Sequence, residues 1–294
     1  MTESISMRVD HVSIAVHDID TALRFFRSSL PIEMRVEKRA GYTDDFNWCD
    51  FYVGPFKLEL IEGTRPDSFV RRFIDKRGEG MHHLSLEATP LEPLLERLAA
   101  DGVRIVDRFD SGDGDVTAFI SPRSAHGVLV QFWNVDSIVA PERPQTVPFR
   151  LRSGESVKLR VNHVSMAVRS IDQTLEFYRR YFPIRTDHPK HPGYDGTFTL
   201  TTFTLNGYRI ELIEQTVGHA AGFVSRFIDK RGEGFHHLSI DVDCLDPLLQ
   251  QLETDGVRIV DRADIGGGWK TAFISPRSAH GVLIQFWQDP SMGI

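Results

Sequence analysis

The chain repeats itself, and this internal duplication constrains its fold more than any other feature of the sequence. The segment SRFIDKRGEGFHHLSID, which starts at Ser225, matches RRFIDKRGEGMHHLSLE, which starts at Arg71. In the same way, TAFISPRSAHGVLIQFW from Thr271 matches TAFISPRSAHGVLVQFW from Thr117. A domain typically takes about 100 to 200 residues. Two copies of one unit therefore account for the 294 residues.

The two copies are aligned almost without insertions, which locates the boundary between them. His11 and His163 are 152 residues apart, and His83 and His237 are 154 residues apart. The stretch between the copies is rich in proline and lacks apolar periodicity, which is typical of a linker. We therefore predict a first domain at 1–135, a linker at 136–158 and a second domain at 159–294.

Each copy is predicted to contain two modules of the same type. HVSIAV at 11–16 alternates with period two and predicts a strand, and the apolar spacing at 19–30 predicts a helix. Residues 51–61 predict a hairpin. The same order of a strand, a helix and three strands begins again at His82. The predicted fold class is α+β, with four βαβββ modules in the chain.

Composition excludes several classes of partner. There are 34 Lys and Arg residues against 41 Asp and Glu, giving a formal net charge of -7, and no basic block stands out. This argues against a nucleic-acid partner. The chain has no apolar run of about 18 residues and no basic segment followed by an apolar one at its start. We therefore expect no membrane span, no signal peptide and a cytoplasmic location.

Four polar side chains interrupt segments that are otherwise apolar: His11 in the first strand, Glu59 in FKLELI, His83 in the fifth strand and Gln131 in GVLVQFW. Taken singly, each would suit the solvent face of a sheet. The second copy has the same residue types at the matching positions, namely His163, Glu211, His237 and Gln285. This joint pattern favours a functional site. Strand alternation alone does not decide whether His82 or His83 points inward.

These residue types suit a divalent metal ion. A carboxylate inside a sheet is costly unless it is paired or bound to a metal. Two imidazoles, one carboxylate and one amide oxygen would hold Mn, Fe, Co, Ni or Zn and leave coordination positions open for water or substrate. The predicted cofactor is a divalent metal of open identity, and the predicted partner is a small-molecule substrate.

Two loop motifs are repeated in position and are further candidates for the site. GDGD at 112–115 aligns with GGGW at 266–269, which predicts a loop at the pocket rim that differs between the copies. His126 and His280, each in the motif SAHG, are predicted to organise a turn rather than to act in catalysis.

The run from HVSIAVHDIDTALRFF through RFIDKRGEGMHHLSLE to TAFISPRSAHGVLVQFW resembles the vicinal oxygen chelate superfamily of glyoxalases, bleomycin resistance proteins and extradiol dioxygenases, and above all methylmalonyl-CoA epimerase. The resemblance covers both copies and implies that the four modules form two concave half-barrel sheets. It also implies a monomer or weak homodimer, since the duplication supplies the two-fold contact. The metal ligands implied by the resemblance are His11, Glu59, His83 and Gln131, with His163, Glu211, His237 and Gln285 in the second copy.

The chain departs from these epimerases at the residues that move the proton. The resemblance implies a last-strand glutamate acting with a third-strand carboxylate, but this chain has Gln131 and Gln285 at the last strands. An amide cannot accept the proton, which argues against methylmalonyl-CoA itself as the substrate. The third-strand position falls near Asp50 in the first copy and Thr202 in the second.

The resemblance implies an enzyme, and we expect a metal-dependent isomerase or epimerase that acts next to a carbonyl through an enolate-like intermediate. An acyl-CoA or a hydroxy-ketone would be the substrate, and Glu59 or Glu211 would be the base, with Asp50 assisting in the first copy. One alternative is an Fe(II)-dependent ring-cleaving or keto-acid dioxygenase that uses His11, His83 and Glu59 as a facial triad. Another is a non-catalytic small-molecule-binding protein. Dioxygenases of this superfamily commonly keep ligands in one half only, so two intact sets favour the isomerase.

Overall fold

The computed structural model describes residues 5–110, 112, 116–218 and 222–293. The first copy contains strands β1 (Ser6–Ala15), β2 (Glu33–Ala40), β3 (Phe46–Val53), β4 (Phe56–Gly63), β5 (Gly80–Thr89), β6 (Ile105–Asp110), β7 (Val116–Ile120) and β8 (Leu129–Asn134). Its helices are α1 (Ile19–Ser29), α2 (Phe69–Arg77) and α3 (Glu92–Ala100).

The remainder of the chain repeats this order with small additions. Its strands are β9 (Val147–Arg150), β10 (Ser156–Ala167), β11 (Arg185–Thr186), β12 (His191–Pro192), β13 (Phe198–Leu205), β14 (Tyr208–Gln215), β15 (Gly234–Val242), β16 (Ile259–Gly266), β17 (Trp269–Ile274) and β18 (Ile284–Gln288). Its α-helices are α4 (Ile171–Tyr181), α5 (Phe223–Arg231) and α6 (Leu245–Thr254), followed by a 3₁₀ helix at Pro290–Gly293.

The strands form two mixed sheets. The first has eight strands in the order β2-β3-β4-β1-β5-β8-β7-β6. The second has ten strands, in the order β11-β13-β14-β10-β15-β18-β17-β16 with β9 and β12 paired at its side. Each sheet holds two successions of strand, helix and three strands, except that the short strands β11 and β12 together take the place of β2 in the second sheet. Helices α2 and α5 join the successive modules. The predicted α+β fold class with four βαβββ modules is confirmed.

The first helix of each copy begins where a side chain caps it. The Asp18 carboxylate accepts a hydrogen bond from the Thr21 amide at 2.7 Å, and the Ser170 hydroxyl accepts one from the Gln173 amide at 3.3 Å. Such caps satisfy amide groups that have no partner inside the helix. The apolar face of α1 is then buried, with Phe26 fully excluded from solvent.

The chain divides into two compact units, and each takes segments from both sequence copies. One unit comprises residues 1–11, 83–140 and 164–236, and the other comprises 12–82, 141–163 and 237–294. Since the units mix the copies, they do not test where one sequence domain ends and the next begins. The domain boundaries at 135 and 159 stay a prediction.

Inside each unit, the two most strongly repeated motifs pack against each other. A Cβ added at Gly127 would lie 1.9 Å from the carbonyl oxygen of Glu233, and one added at Gly281 would lie 1.7 Å from that of Glu79. The SAHG motif of one copy thus packs on the RGEG motif of the other. His126 and His280 both adopt a positive φ of 49°, which is typical of a turn residue.

The predicted rim loop at 112–115 lies outside the described residues except for Gly112. Its counterpart at 266–269 is a tight turn, in which Gly266 ends β16 and Trp269 begins β17. In the described part of the chain, no helix is long and apolar enough to cross a membrane.

Candidate metal centres

The candidate ligands occupy a repeated place in the sheet register. In β1, His11 lies two residues before Ser13, and Ser13 lies opposite Glu59 of the parallel strand β4. Because side chains two residues apart share a face, His11 and Glu59 face the same side of the sheet. The other modules repeat this arrangement with His83, Ser85 and Gln131, with His163, Ser165 and Glu211, and with His237, Ser239 and Gln285.

The structure brings three of the four candidates in each copy within reach of one ion. One ligand atom each from His11, Glu59 and His83 all lie within 4.8 Å of one another, and the same holds for His163, Glu211 and His237. The rings of His11 and His83 meet edge to face, with centroids 5.4 Å apart. In the second copy, the Nε2 atoms of His163 and His237 are 3.4 Å apart.

By strand register, Gln131 shares a sheet face with His83, and Gln285 shares one with His237. Gln131 is 3% exposed, and its Oε1 atom is buried with no hydrogen bond inside the described part of the chain. Gln285 donates from Nε2 to the Thr271 hydroxyl at 3.3 Å, which leaves its amide oxygen as the remaining ligand atom.

The structure resolves the choice between the paired histidines. His83 joins the cluster, whereas the ring of His82 packs against those of Phe73 and Phe69, with centroids 4.7 and 5.7 Å away. Burial lowers the pKa of His82 to about 4 and does the same for His236 in the second copy. Both of these side chains are therefore neutral at pH 7 and serve packing.

The first histidine of each centre is oriented by the residue that precedes it. The Nδ1 atom of His11 lies 2.7 Å from a carboxylate oxygen of Asp10, and that of His163 lies 2.9 Å from the amide oxygen of Asn162. Since both partners are acceptors, Nδ1 is the donor in each contact, and Nε2 is the ring nitrogen that can ligate a cation. Asp10 and Asn162 were missed in the sequence, although each directly precedes a candidate histidine.

This donor set fits a divalent cation. In the second copy, the Nε2 atom of His163 faces the Nε2 atom of His237, and a ligand atom of Glu211 lies within 4.8 Å of both histidines' ligand atoms. Convergent lone pairs and a carboxylate repel one another unless a proton or a cation lies among them. Two imidazoles and a carboxylate are ligands that Mn, Fe, Co, Ni and Zn accept. In the first copy, His11, Glu59 and His83 provide the same set.

The third-strand residues differ between the centres. Asp50 lies directly opposite Glu59 and is 3% exposed, and one of its oxygens lies 2.8 Å from Nη1 of Arg35. The same oxygen lies 3.9 Å from Nζ of Lys57. A carboxylate is thus held next to the first cluster by two cations.

In the second copy, the carboxylate near the third strand comes from Asp187, which directly follows β11. Thr202 lies opposite Glu211, and its hydroxyl donates to Asp187 at 2.8 Å and lies 3.2 Å from Nε2 of His188. Neither Asp187 nor His188 was predicted from the sequence. The alignment of the two copies could have indicated Asp187. A cation in the first copy, Arg35, aligns with the carboxylate Asp187, while the carboxylate Asp50 aligns with Thr202.

The family follows from a match to both copies. The family model described as the Glyoxalase/Bleomycin resistance protein/Dioxygenase superfamily matches residues 10–119 and 162–273. The chain belongs to this superfamily. The two matched ranges contain every candidate ligand except Gln131 and Gln285, and the resemblance seen in the sequence is confirmed.

Similar proteins match one copy at a time. An uncharacterised protein of Bacillus subtilis strain 168, YqjC, is 36% identical over 126 residues, covering 42% of this chain and 89% of the relative. The ethylmalonyl-CoA/methylmalonyl-CoA epimerase of Cereibacter sphaeroides is 27% identical over 135 residues, covering 44% and 98%. The mitochondrial methylmalonyl-CoA epimerase of Dictyostelium discoideum is 26% identical over 129 residues, covering 43% and 76%.

One solved structure matches the chain over nearly its whole length. A triple mutant of 4-hydroxymandelate synthase from Streptomyces coelicolor superposes with a TM-score of 0.66, covering 97% of this chain and 93% of that one. At 16% sequence identity, this likeness shows the fold alone.

Proposed function

We propose that this chain is a metal-dependent isomerase or epimerase that acts next to a carbonyl through an enolate-like intermediate. The observation that carries the proposal is the duplicated cluster of two histidines and one glutamate, which occupies the same register in both copies. Two named relatives are epimerases of acyl-CoA thioesters, which supports an acyl-CoA as the substrate class. A hydroxy-ketone is the other substrate class, because it has an acidic C–H next to its carbonyl and a second oxygen on the neighbouring carbon.

The ligand residues would hold the ion, and Glu59 would move the proton. A bound divalent cation polarises a carbonyl and stabilises the negative charge that develops on its oxygen. His11 and His83 supply neutral ligands, while Glu59 is the one carboxylate in the first cluster. Gln131 would ligate the ion or orient the substrate, because its amide has no basic site that could accept the proton.

In the first centre, Asp50 is placed to assist Glu59 from the facing strand. In the second centre, Glu211 is the corresponding base, and Thr202 replaces the assisting carboxylate. Sites of this kind suit small-molecule substrates. The proposed enzyme would act in the cytoplasm, without a nucleic-acid or membrane partner.

The test is solvent deuterium exchange into a panel of 2-substituted acyl-CoA thioesters and hydroxy-ketones, followed by NMR. The double variant Glu59→Gln with Glu211→Gln should lose exchange by about 100-fold or more, because a general base contributes at least that factor. The exposed Glu37→Gln is the control for a lost carboxylate. Exchange at the parent rate in the double variant would contradict the proposed base.

A second candidate function is Fe(II)-dependent oxygenation. The observation that favours it is the set of two histidines and one carboxylate, which matches the ligand set of non-haem iron oxygenases. Anaerobic reconstitution with Fe(II) followed by an oxygen-uptake assay distinguishes the two reactions. Oxygen consumption coupled to substrate loss supports oxygenation. Binding of a small molecule without exchange or oxygen uptake supports a non-catalytic binding protein.

A further inference from the structure

We propose that the two metal centres are unequal, and that the first centre (His11, Glu59, His83 and Gln131) binds a divalent cation more tightly than the second (His163, Glu211, His237 and Gln285). This inference rests on the metal dependence in the proposed function. It is carried by the outer hydrogen-bond partner of the first histidine, which is a carboxylate in one centre and an amide in the other. Asp10 and Asn162 are positioning residues, since they act through the histidine ring.

In the first centre, the outer partner belongs to a charged network. The Asp10 carboxylate lies 2.7 Å from Nδ1 of His11 and 3.5 Å from Nη2 of Arg8. Arg8 is 7% exposed and donates two hydrogen bonds to Glu87, at 2.9 and 2.7 Å. The imidazole and Arg8 approach different oxygens of Asp10, and the contact with the imidazole is the shorter one, so His11 meets a carboxylate oxygen directly.

In the second centre, the carboxylate lies one hydrogen bond further away. Asn162 accepts from Nδ1 of His163 through its amide oxygen at 2.9 Å and donates through Nδ2 to Asp241 at 2.7 Å. The Asp241 carboxylate also accepts from Nη2 of Arg160 at 2.6 Å. Because Nδ2 is bound to an acceptor, the amide orientation is fixed, and the imidazole meets a neutral oxygen.

The physical consequence is a difference in ligand strength. A carboxylate that accepts the Nδ1 proton of a ligating histidine makes Nε2 a stronger donor and fixes the ring. Loss of such a partner typically costs about 10- to 100-fold in metal affinity. An amide fixes the ring equally well but adds no negative charge. We therefore expect the first centre to load first, with an affinity about 10- to 100-fold higher than that of the second.

The experiment is calorimetric titration of the metal-free full-length protein with Co²⁺. The wild type should give two binding steps. His237→Ala should leave the tight step, and His83→Ala should leave the weak step, because each removes a ligand from one centre. Two equal affinities in the wild type would overturn the inference while leaving the proposed function intact. Absence of Co²⁺ binding at both centres would overturn both.

Further variants distinguish the effect of the hydrogen bond to the histidine from the effect of the protein's net charge. Asp10→Asn, tested with His237→Ala, should weaken the first centre by about 10-fold or more. Asp44→Asn removes an exposed carboxylate from the same copy and should leave the affinity unchanged. In the second centre, the double variant Asn162→Asp with Asp241→Asn moves one carboxylate onto the imidazole without changing the net charge. It should tighten Co²⁺ binding in the His83→Ala protein.

Thermal melting of each metal-free variant shows whether the fold is retained. If Asp10→Asn binds Co²⁺ as tightly as its parent, or if the relocated carboxylate does not strengthen the second centre, Asp10 is not the source of an affinity difference.

Discussion

At the scale of single residues, neighbouring side chains with the same chemistry have separate tasks. His82 and His83 are adjacent on β5, so they point to opposite faces of the sheet. One contacts the rings of Phe69 and Phe73, and the other lies within 4.8 Å of the ligand atoms of His11 and Glu59. The sheet face, and not the residue type, separates a packing histidine from a candidate ligand.

The first residue-scale prediction concerns metal content. His83→Ala and His237→Ala should each lose about one equivalent of bound divalent metal under full loading, because each removes one imidazole from one centre. His82→Ala should retain both equivalents, since its ring contacts aromatic side chains instead. Elemental analysis of the purified proteins provides the measurement. Unchanged metal content in both ligand variants would show that the assignment is wrong.

The residue types of the centres could be predicted from the sequence, but their neighbours could not. Repetition in both copies singled out the His, Glu and Gln positions, because a shared polar interruption is visible without a structure. The contact of Asp10 with His11 depends on side-chain torsions, which alternation does not report. In the first copy the carboxylate on this side is Asp50, and in the second it is Asp187. Which residue supplies it depends on which strands are neighbours in the sheet.

At the scale of elements, buried strands could be predicted from their apolar pattern, whereas exposed edge strands could not. The central strands β1, β4, β5 and β8 are apolar and could be predicted individually. Strand β2 carries the charged sequence EMRVEKRA with an alternating half-exposed pattern, and it lies at the edge of its sheet. Edge strands are often charged, because this discourages pairing with other chains. Their apolar signal is correspondingly weak, and β2 and β6 were not located individually.

The element-scale prediction uses the glycines at which the repeated motifs meet. A Cβ at Gly281 would lie 1.7 Å from the carbonyl oxygen of Glu79, and Gly281 has a φ of 79°. A left-handed conformation costs a non-glycine residue about 1–2 kcal/mol. Forcing the backbones apart adds about 1–3 kcal/mol. Gly281→Ala should therefore lower the free energy of unfolding by about 2–5 kcal/mol.

Gly102 provides a matched control for this prediction. Its φ is 77°, but among the described residues no atom beyond its two chain neighbours lies within 4 Å of an added Cβ. Gly102→Ala should therefore cost only the conformational part, about 1–2 kcal/mol. Urea unfolding monitored by circular dichroism compares the two variants. Equal losses would mean that the close approach to Glu79 carries no strain.

At the scale of the whole molecule, the duplication places reciprocal contacts in one chain. In one compact unit, SAHG of the first copy packs on RGEG of the second at Gly127 and Glu233. In the other unit, the roles of the copies are exchanged, at Gly281 and Glu79. This reciprocity explains why these two motifs are the most similar segments of the copies, because each motif must fit its counterpart.

The last prediction is that the protein is a monomer or at most a weak homodimer. A chain with a single copy of the unit would have to obtain the reciprocal contacts from a second subunit. Here both contacts are made within the chain, so self-association has no contact of this kind left to form. Light scattering should give the monomer mass of 33.4 kDa at low concentration, with any increase confined to high concentration. A dimer whose mass does not change on dilution would show that fusion of the copies has not replaced oligomerisation.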